Sequence, residues 1–144
     1  MTSQGYCNIH HFIFQDLYDW AGKYRTANMR HPAHDAFFCR TEFLAQQMDA
    51  VFRTLSALPV ANLTTTEAFA SALAGPIGDL NAIHPFREGN GRTMRAFLEQ
   101  FAARCHLRFD QTRLDPAQWN EASRLNFIDA DPGHFRSLLM QALV

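Results

Sequence analysis

The amino-acid sequence predicts an all-α fold of five or six helices with one small β-hairpin. Apolar residues recur at the spacing of a buried helix face through most of the chain, and residues that begin or end helices stand between these stretches. Only a segment of about residues 24–39 departs from this pattern. With 144 residues, 47% of them hydrophobic, the chain is long enough to bury one core. We therefore expect a single domain over residues 1–144.

The first predicted helix and the hairpin occupy the N-terminal part of the chain. Asn8 is suited to cap a helix of periodic apolar residues, and Gly22 is suited to end it. Two short extended pieces follow, Tyr24–Met29 and Ala36–Cys39, with proline, histidine and charged residues between them. We interpret them as an irregular hairpin. The apolar positions of the first helix are Ile9, Phe12, Ile13 and Leu17.

Two further helices are predicted in the middle of the chain. Thr41 begins one of them, and Thr64–Glu67 has the form of a capping box that opens the other. Gly75, Pro76 and Gly78 fall inside the latter helix, where a proline costs about 3 kcal/mol. We therefore expect an interruption there. The predicted core positions are Phe43, Leu44, Met48, Val51, Phe52 and Leu55, followed by Phe69, Leu73, Ile77, Leu80 and Ile83.

The C-terminal half of the chain is predicted to contain three more helices. Residues 92–104 have one apolar side, which is typical of a helix packed on a core. Asp115-Pro116 and Asp131-Pro132 each place a capping aspartate before a proline at the first helical position. The apolar residues of these helices are Phe97, Leu98, Phe101 and Ala102, then Trp119, Ala122 and Leu125, and finally Phe135, Leu138, Leu139 and Leu143.

Composition and charge argue against several classes of function. The net charge is -1 and the pI about 6.6, whereas nucleic-acid-binding domains are usually strongly basic. No stretch approaches the ~18 apolar residues of a membrane helix, and residues 1–20 lack the pattern of a signal peptide. Cys7, Cys39 and Cys105 show no metal-binding or redox spacing. We expect a cytoplasmic protein with reduced thiols and without nucleic-acid or membrane partners.

The segment from Ile83 to Arg95 concentrates the chemically active residue types of the chain. Pro85 disfavours helical geometry at His84 and so separates this histidine from the helix before it. Phe86 is the large apolar side chain of the segment, and we expect it to anchor the loop in the core. With an ordinary pKa of about 6.5, His84 is suited to act as a general base.

The residues after this histidine predict a phosphate site. Gly89–Gly91 tolerate positive φ and can turn successive N–H groups into one concavity at the start of a helix. Arg92 and Arg95 oppose the dipole of that helix, and a bound polyanion would remove the conflict. Glu88 would weaken phosphate binding unless a divalent cation lay between, and Mg²⁺ binds one or two carboxylates plus phosphate oxygens. The segment therefore predicts a magnesium-bound polyphosphate beside a base.

Zinc binding is a weaker interpretation of the same segment. Pro85 and the glycine turn keep His84 and Glu88 off one regular helical face, and no His-x-x-x-His or cysteine pair accompanies them. Each residue of the segment alone would be unremarkable, but their combination indicates a nucleotide site. The remaining histidines are interpreted as structural or surface residues: His10, His11, His31, His34, His106 and His134.

The segment from His84 to Arg95 resembles the complete signature of the Fic family, His-x-Phe-x-(Asp/Glu)-Gly-Asn-Gly-Arg-x-x-Arg. Residues 9–25 resemble the family's upstream helix and the start of its target-binding flap, and Trp119–Ala122 resembles a downstream segment. The resemblance implies a Fic-like helical domain with the motif loop 84–92 between two central helices and a flap at about 24–39. It also implies a protein adenylyltransferase, which transfers AMP from ATP to a hydroxyl side chain of a target protein.

The same resemblance implies a role for each motif residue. His84 takes the proton of a Tyr, Thr or Ser hydroxyl, which attacks the α-phosphate while pyrophosphate leaves. Glu88 positions Mg²⁺ across the α- and β-phosphates of the co-substrate ATP. Arg92 contacts the β-phosphate and Arg95 the γ-phosphate. The other phosphate contacts come from backbone N–H groups around Gly89, Asn90 and Gly91 and from the Asn90 side chain.

The resemblance further implies two protein partners. A target would add an extended segment to the flap as a further strand. Many family members carry an inhibitory Ser/Thr-x-x-x-Glu-Gly/Asn helix whose glutamate pairs with the last motif arginine, here Arg95. This chain contains no such segment, which leaves a separate antitoxin-like partner, an inhibitory extension outside it or an unregulated member. The enzyme is expected in the cytoplasm or, as a delivered effector, in a host cytosol.

Two alternatives to AMP transfer remain open. The same scaffold can transfer phosphate or phosphocholine, but family kinases replace the second motif glycine with lysine, and Gly91 is intact. A nucleotide-binding interaction module without transfer activity is the other alternative. The intact His84 and Glu88 argue against it, whereas the expected interruption at Gly75-Pro76 leaves room for it.

Overall fold

The computed structural model describes residues 1–32 and 35–144, and this part of the chain contains six α-helices. They are α1 Ser3–Phe14, α2 Leu44–Ser56, α3 Thr66–Ile83, α4 Asn90–Arg104, α5 Pro116–Asp129 and α6 Gly133–Ala142, with 3-10 turns at Thr41–Phe43, Val60–Asn62 and Gln111–Arg113. Helix α3 is central and packs against α2, α5 and α6, while α1 packs against α4. The predicted all-helical fold is thus confirmed. None of the described helices is long and apolar enough to cross a membrane.

Helix α3 is continuous through Pro76, so the predicted interruption is wrong. Leu73 and Ile77, on either side of the proline, are fully buried. Because burying one such side chain contributes about 1.5–3 kcal/mol, the packing of this helix outweighs the ~3 kcal/mol cost of the proline. Gly78 serves the packing of α3 on α5. An added Cβ there would lie 2.8 Å from the side-chain amide of Asn126.

Helix α1 begins earlier than the sequence predicted and has a different buried face. Thr2, not Asn8, is its N-cap, and the Thr2 hydroxyl accepts a hydrogen bond from a first-turn N–H at 3.0 Å. Phe12 and Leu17, both expected in the core, are 77% and 68% exposed. His10 lies on the buried face of α1, and because it is polar, the apolar periodicity of the sequence did not reveal this face. The buried residues of α1 are Tyr6, Cys7, His10 and Phe14.

The boundaries of α2 and α3 lie close to the predicted ones. Thr41 begins the 3-10 turn that leads into α2, and Phe43 in that turn is 47% exposed instead of lying in the core. At α3 the capping residue is Thr65, within the predicted box, and its hydroxyl accepts from the N–H of Ala68 at 3.2 Å. The other predicted core positions are buried: Leu44, Met48, Val51, Phe52 and Leu55 in α2, and Phe69, Leu73, Ile77, Leu80 and Ile83 in α3.

The predicted aspartate cap is confirmed for α5, whereas the N-cap of α6 is Pro132 and not Asp131. The Asp115 carboxylate accepts from the N–H of Ala117 at 3.0 Å, and α5 begins with Pro116. The Asp131 carboxylate accepts from the N–H of Gly133 at 2.8 Å. Helix α6 begins at this glycine and not at the proline before it.

The flap segment, residues 24–39, forms one antiparallel bridge in the part that the structure describes, and not a hairpin of regular strands. The bridge joins Arg30 to Phe37. Ala33 and His34 lie outside the described residues. Of the predicted hairpin, the described residues thus form only this bridge. Two backbone hydrogen bonds, each 2.9 Å long, flank the bridge. In one, the N–H of His31 donates to the carbonyl of Ala36, and in the other, the N–H of Phe38 donates to the carbonyl of Met29.

Candidate active site

The loop between α3 and α4 begins at His84, which is the C-cap of α3. His84 has left-handed backbone angles (φ 50°, ψ 64°), and its N–H donates to the carbonyl of Leu80 at 3.0 Å. The chain leaves the helix at this residue because the following Pro85 disfavours right-handed helical geometry there. The predicted separation of His84 from the preceding helix is therefore confirmed.

Phe86 anchors the loop in the core, as the sequence predicted. Its side chain is fully buried, and its ring stacks on His10 of α1 with 3.9 Å between centroids. The N–H of Phe86 donates to Oδ1 of Asn90 at 2.9 Å, and Nδ2 of Asn90 donates back to the carbonyl of Phe86 at 2.7 Å. Among the described residues, no buried side-chain nitrogen or oxygen lacks a partner. These contacts hold the loop in one conformation.

His10 supports the loop from the side of α1. Its Nε2 donates to the carbonyl of Glu88 at 2.9 Å, and its Nδ1 accepts from the N–H of Gly22 at 2.9 Å. These two partners fix the neutral tautomer that carries hydrogen on Nε2. Burial lowers the pKa of His10, which favours the same neutral form. Gly22, which was expected to end α1, instead forms a separate turn at φ 80°.

The glycine-rich turn is tighter than the sequence predicted. Within it only Gly89 has positive φ, and Asn90 is already the first residue of α4. A Cβ on Gly89 would overlap the ring of Phe14, so neither the backbone conformation nor the space admits a side chain. The N–H groups of Asn90, Gly91 and Arg92 lie in the first turn of α4, where they have no intrahelical acceptor. The anion-binding feature is therefore a helix N-terminus.

The His84 imidazole stacks face to face on the flap residue Phe38. The ring centroids are 3.9 Å apart and the planes differ by 8°. Burial, together with the nearby charges of Arg25 and His31, lowers the pKa of His84 to about 4. The ring is therefore neutral near pH 7 and can accept a proton.

Arg25 belongs to the site, although no role for it was predicted. Its buried guanidinium donates to the carbonyls of His84 at 2.7 Å and Ile83 at 3.0 Å. It also donates to the carbonyls of Ala27 at 3.0 Å and Cys39. Arg25 thus connects both ends of the flap segment to the C-terminus of α3, whose carbonyls favour a cation. Its position in the family-like segment is the only sequence signal that could have indicated this role.

The two motif arginines lie against aromatic rings. The guanidinium carbon of Arg92 is 4.6 Å from the ring centroid of Phe14, and that of Arg95 is 5.3 Å from Trp119. Burial and the charge of Arg92 lower the pKa of Arg95. In the part of the chain that the structure describes, neither arginine pairs with a carboxylate. Two unpaired cations at a helix N-terminus form a site suited to a polyanion.

All predicted site residues lie around one cavity of about 780 Å³, between the flap, the motif loop, α4 and α5. This volume suits a nucleotide-sized ligand. Helix α5 adds Asn120 and Ser123 to the wall, although no site role was predicted for this helix beyond the family-like segment Trp119–Ala122. The predicted residues in the wall are His84, Glu88, Gly89, Asn90, Gly91, Arg92 and Arg95.

Glu88 supplies an exposed carboxylate to this cavity. Its backbone carbonyl binds His10, whereas its side chain forms no ion pair within the described residues. The described residues contain no group of three His, Cys, Asp or Glu side chains that could hold a metal ion, so the zinc interpretation gains no support. A single carboxylate beside a phosphate site suits Mg²⁺, which completes its shell with phosphate oxygens and water.

Fold and site together define a class of helical domain in which a histidine, a carboxylate and two arginines surround a helix N-terminus. The profile of the Fic/DOC family matches residues 1–102. The chain belongs to the Fic/DOC family, and the resemblance seen in the motif is confirmed.

Two relatives of similar sequence are named as adenylyltransferases. The "Probable protein adenylyltransferase y4lH" of Sinorhizobium fredii is 34% identical over 123 residues, which are 85% of this chain and 63% of that protein. The "Protein adenylyltransferase VbhT" of Bartonella schoenbuchensis is 34% identical over 116 residues, which are 80% of this chain and 24% of that protein. The chain thus spans less than two thirds of the length of either relative.

Solved structures share the fold at lower sequence identity. The Bartonella tribocorum BepC protein, crystallised with bound AMPPNP, gives a TM-score of 0.90 at 20% identity and covers 99% of this chain and 74% of that chain. The N-terminal FIC domain of Bep8 from Bartonella sp. 1-1C gives a TM-score of 0.91 at 22% identity, with coverage of 98% and 72%. Almost the whole chain therefore has the architecture of these FIC domains.

Proposed function

We propose that this chain acts as one Fic-like domain over residues 1–144 and is a protein adenylyltransferase, which transfers AMP from ATP to a hydroxyl side chain of a target protein. The observation that carries the proposal is the neutral ring of His84 in the wall of the cavity that also contains the N-terminus of α4. Group transfer to a hydroxyl needs a base and a phosphate site in this proximity. The names of the two relatives support the same activity.

His84 is the proposed general base. Its imidazole accepts the proton of a Tyr, Thr or Ser hydroxyl, and the hydroxyl oxygen attacks the α-phosphorus in line. The bond from the α-phosphorus to the oxygen that bridges to the β-phosphate breaks, and pyrophosphate leaves. The proton then passes from His84 to solvent. Stacking on Phe38 and the hydrogen bond from Arg25 to the His84 carbonyl favour one position of the base.

The N-terminus of α4 is the proposed binding site for the phosphates. The backbone N–H groups of Asn90, Gly91 and Arg92 contact the α- and β-phosphates. The Arg92 side chain contacts the β-phosphate, and Arg95 contacts the γ-phosphate. Asn90 contributes through its backbone, because its side chain already binds Phe86. This assignment differs from the Asn90 side-chain contact that the family resemblance implied.

Glu88 is the proposed ligand of Mg²⁺. Its carboxylate is exposed in the same cavity as the arginines and has no cationic partner among the described residues. When bound, the ion would neutralise phosphate charge and orient the phosphate oxygens. Without it, the Glu88 charge would repel the triphosphate.

The flap segment is the proposed docking site of the target. The bridge between Arg30 and Phe37 shows that its backbone is extended there, and an extended edge can pair with a further strand. Phe38 on the same segment contacts the His84 ring. A strand added to the flap would therefore bring its hydroxyl near the base.

We also propose that a separate antitoxin-like protein controls the enzyme. Arg95 has no carboxylate partner in the described part of the chain, so a glutamate from a partner can pair with it. Such a glutamate would compete with the γ-phosphate. A cytosolic location, in the producing cell or in a host after delivery, would supply ATP and Mg²⁺.

Isotope transfer from ATP tests the proposed function. The protein is incubated with Mg²⁺, a cell lysate and ATP labelled at either the α- or the γ-phosphate, and a third reaction contains labelled CDP-choline. Protein-bound α-label is the expected result. Label from the γ-phosphate or from choline would contradict AMP transfer and support the corresponding alternative, and ATP binding without any transfer would indicate a binding module. Gly91 favours AMP, because the resemblance implies lysine at this position in the kinases of the family.

A further inference from the structure

A second cavity shares the Phe38 wall with the cavity that contains His84. It has a volume of about 610 Å³ and lies between α2, the C-terminal half of α3 and the flap residues 37–40. We term it the arm groove. Its wall includes Phe37, Phe43, Phe127, Asp79 and Arg40.

The arm groove exposes aromatic surface, although the guanidinium carbon of Arg30 lies 4.6 Å from the ring centroid of Phe37. Phe37 and Phe43 are each 47% exposed, although the sequence pattern placed Phe43 in the core. Neighbouring exposed apolar side chains that line a concave surface are typical of an interaction site. The groove is therefore suited to receive a side chain from another molecule.

Two aromatic contacts connect the arm groove to the proposed catalytic base, and of these only the contact between Phe38 and His84 is stacked. The ring of Phe127 lies 5.0 Å from that of Phe38, and Phe38 lies 3.9 Å from the ring of His84. A side chain in the groove would thus be separated from the base by one ring.

Asp79 gives the groove its charge preference. In the part of the chain that the structure describes, its carboxylate has no hydrogen bond or ion pair. The groove wall removes part of its hydration and raises its pKa, although the residue keeps contact with solvent. A cation beside Asp79 would compensate this loss, and the exposed ring of Phe43 would attract the same cation. Arg40, on the flap side of the groove, would repel a cation. We therefore expect the cation on the opposite side, beside Asp79 of α3.

We propose that the arm groove binds an arginine or lysine side chain of the target protein, close in sequence to the hydroxyl residue that receives AMP. The inference rests on the proposed function and specifies its substrate class as hydroxyl residues in basic segments. Asp79 determines specificity, and Phe37 and Phe43 cover the aliphatic part of the bound side chain. None of the three takes part in the chemical step.

Peptide libraries with a central Tyr, Thr or Ser test this inference. One set carries a fixed Arg or Lys near the hydroxyl residue, and a matched set carries Glu. Transfer from α-labelled ATP gives kcat/KM, and fluorescence anisotropy gives peptide affinity without chemistry. We expect about five- to tenfold preference of the wild-type protein for basic peptides in both measurements. Asp79→Lys should reverse this preference, and Phe43→Ser should weaken binding of both sets.

Asp16→Lys is the matched control, because it makes the same charge change at an exposed residue outside the groove wall. It should leave the preference unchanged. Equal binding of basic and acidic peptides, or an unchanged preference in Asp79→Lys, would overturn the inference. Self-association of the wild-type protein that Phe43→Ser abolishes would also overturn it, because a second copy would then fill the groove. Selective peptide binding without transfer would instead contradict the proposed function and leave the groove assignment intact.

Discussion

The motif loop and the flap segment meet at His84 and are built in opposite ways. In the motif loop Phe86 is fully buried, and its backbone N–H and carbonyl both bind the Asn90 side chain. In the flap the described residues form one bridge, and Phe37 of that bridge is half exposed. The guanidinium of Arg25 is the main connection between the flap ends and the helix that carries His84.

This difference separates two requirements of the proposed reaction. Transfer of AMP depends on fixed positions of the base and of the phosphate-binding N–H groups, and the buried motif loop supplies them. In the proposed function, recognition of a target depends on an accessible backbone edge, which we assign to the flap. Substitutions in the loop should therefore change chemistry or stability, whereas substitutions on the exposed flap should change target use.

Replacement of His84 should produce the largest effect. His84→Ala is expected to lower AMP transfer by about 10²–10⁴-fold because the general base is lost. ATP affinity should stay within about twofold, since the phosphates are bound by α4. Initial rates with α-labelled ATP and calorimetric titration with ATP measure the two quantities. Transfer at the wild-type rate would show that the base lies elsewhere.

Removal of Arg25 should weaken the connection between the two regions. Arg25→Met leaves the carbonyls of Ile83, His84 and Cys39 without their donor. Because an unpaired buried acceptor costs about 1–3 kcal/mol, we expect a loss of about 3 kcal/mol in the free energy of unfolding, measured in urea. The KM for a target should rise more than the KM for ATP. Arg25→Lys keeps the charge and should be intermediate, whereas wild-type stability and KM values in Arg25→Met would contradict the assignment.

The low pKa of His84 predicts a loss of stability in acid. Its folded-state pKa is about 4, against about 6.5 in an unfolded chain. Between these values the unfolded state binds more protons, so stability falls as pH is lowered through this range, by up to about 3 kcal/mol. Because the His84 ring keeps some contact with solvent, the loss of stability will be smaller than this value. Unfolding free energies at pH 7 and pH 4.5 should differ less in His84→Ala than in the wild-type protein, and equal differences would rule out the lowered pKa.

Removal of the Asn90 side chain should have a smaller effect, confined to the motif loop. Asn90→Ala deletes both hydrogen bonds to Phe86, and we expect the free energy of unfolding to fall by about 2 kcal/mol. ATP binding should weaken as well, because the loop leads directly into the N-terminus of α4. Urea unfolding and calorimetry measure these changes. An unaltered ATP affinity would show that the loop does not need this support.

The smallest effect is expected on the exposed side of the flap. Arg30 forms an ion pair with Asp35, and both side chains are largely exposed. Exposed pairs contribute about 0–1 kcal/mol, so Arg30→Ala should leave the free energy of unfolding nearly unchanged. A loss as large as that expected for Arg25→Met would contradict the contrast between the two regions.

The sequence predicted the motif loop well because its signals are local. Pro85 determines the backbone at His84, and Phe86 was the only large apolar side chain available to anchor the loop. The aspartate cap of α5 and the apolar side of α4 were readable for the same reason. Each of these features depends on residues within one or two helical turns.

The errors arose where distant contacts decide the structure. His10 lies on the buried face of α1 because Glu88 and Gly22 supply its hydrogen-bond partners, which no local pattern shows. Pro76 is tolerated because α3 is packed on several helices. Arg25 also binds carbonyls that are remote in sequence. These residues could be assigned only after the helices had been placed.

A crystal structure with Mg²⁺ and a non-hydrolysable ATP analogue would decide whether the cavity at the N-terminus of α4 is the nucleotide site. We expect the triphosphate at this N-terminus, with the ion at Glu88, the γ-phosphate at Arg95 and the α-phosphorus facing the His84 ring. A triphosphate bound elsewhere while this cavity stays empty, or a His84 ring sealed from the α-phosphate, would contradict this expectation.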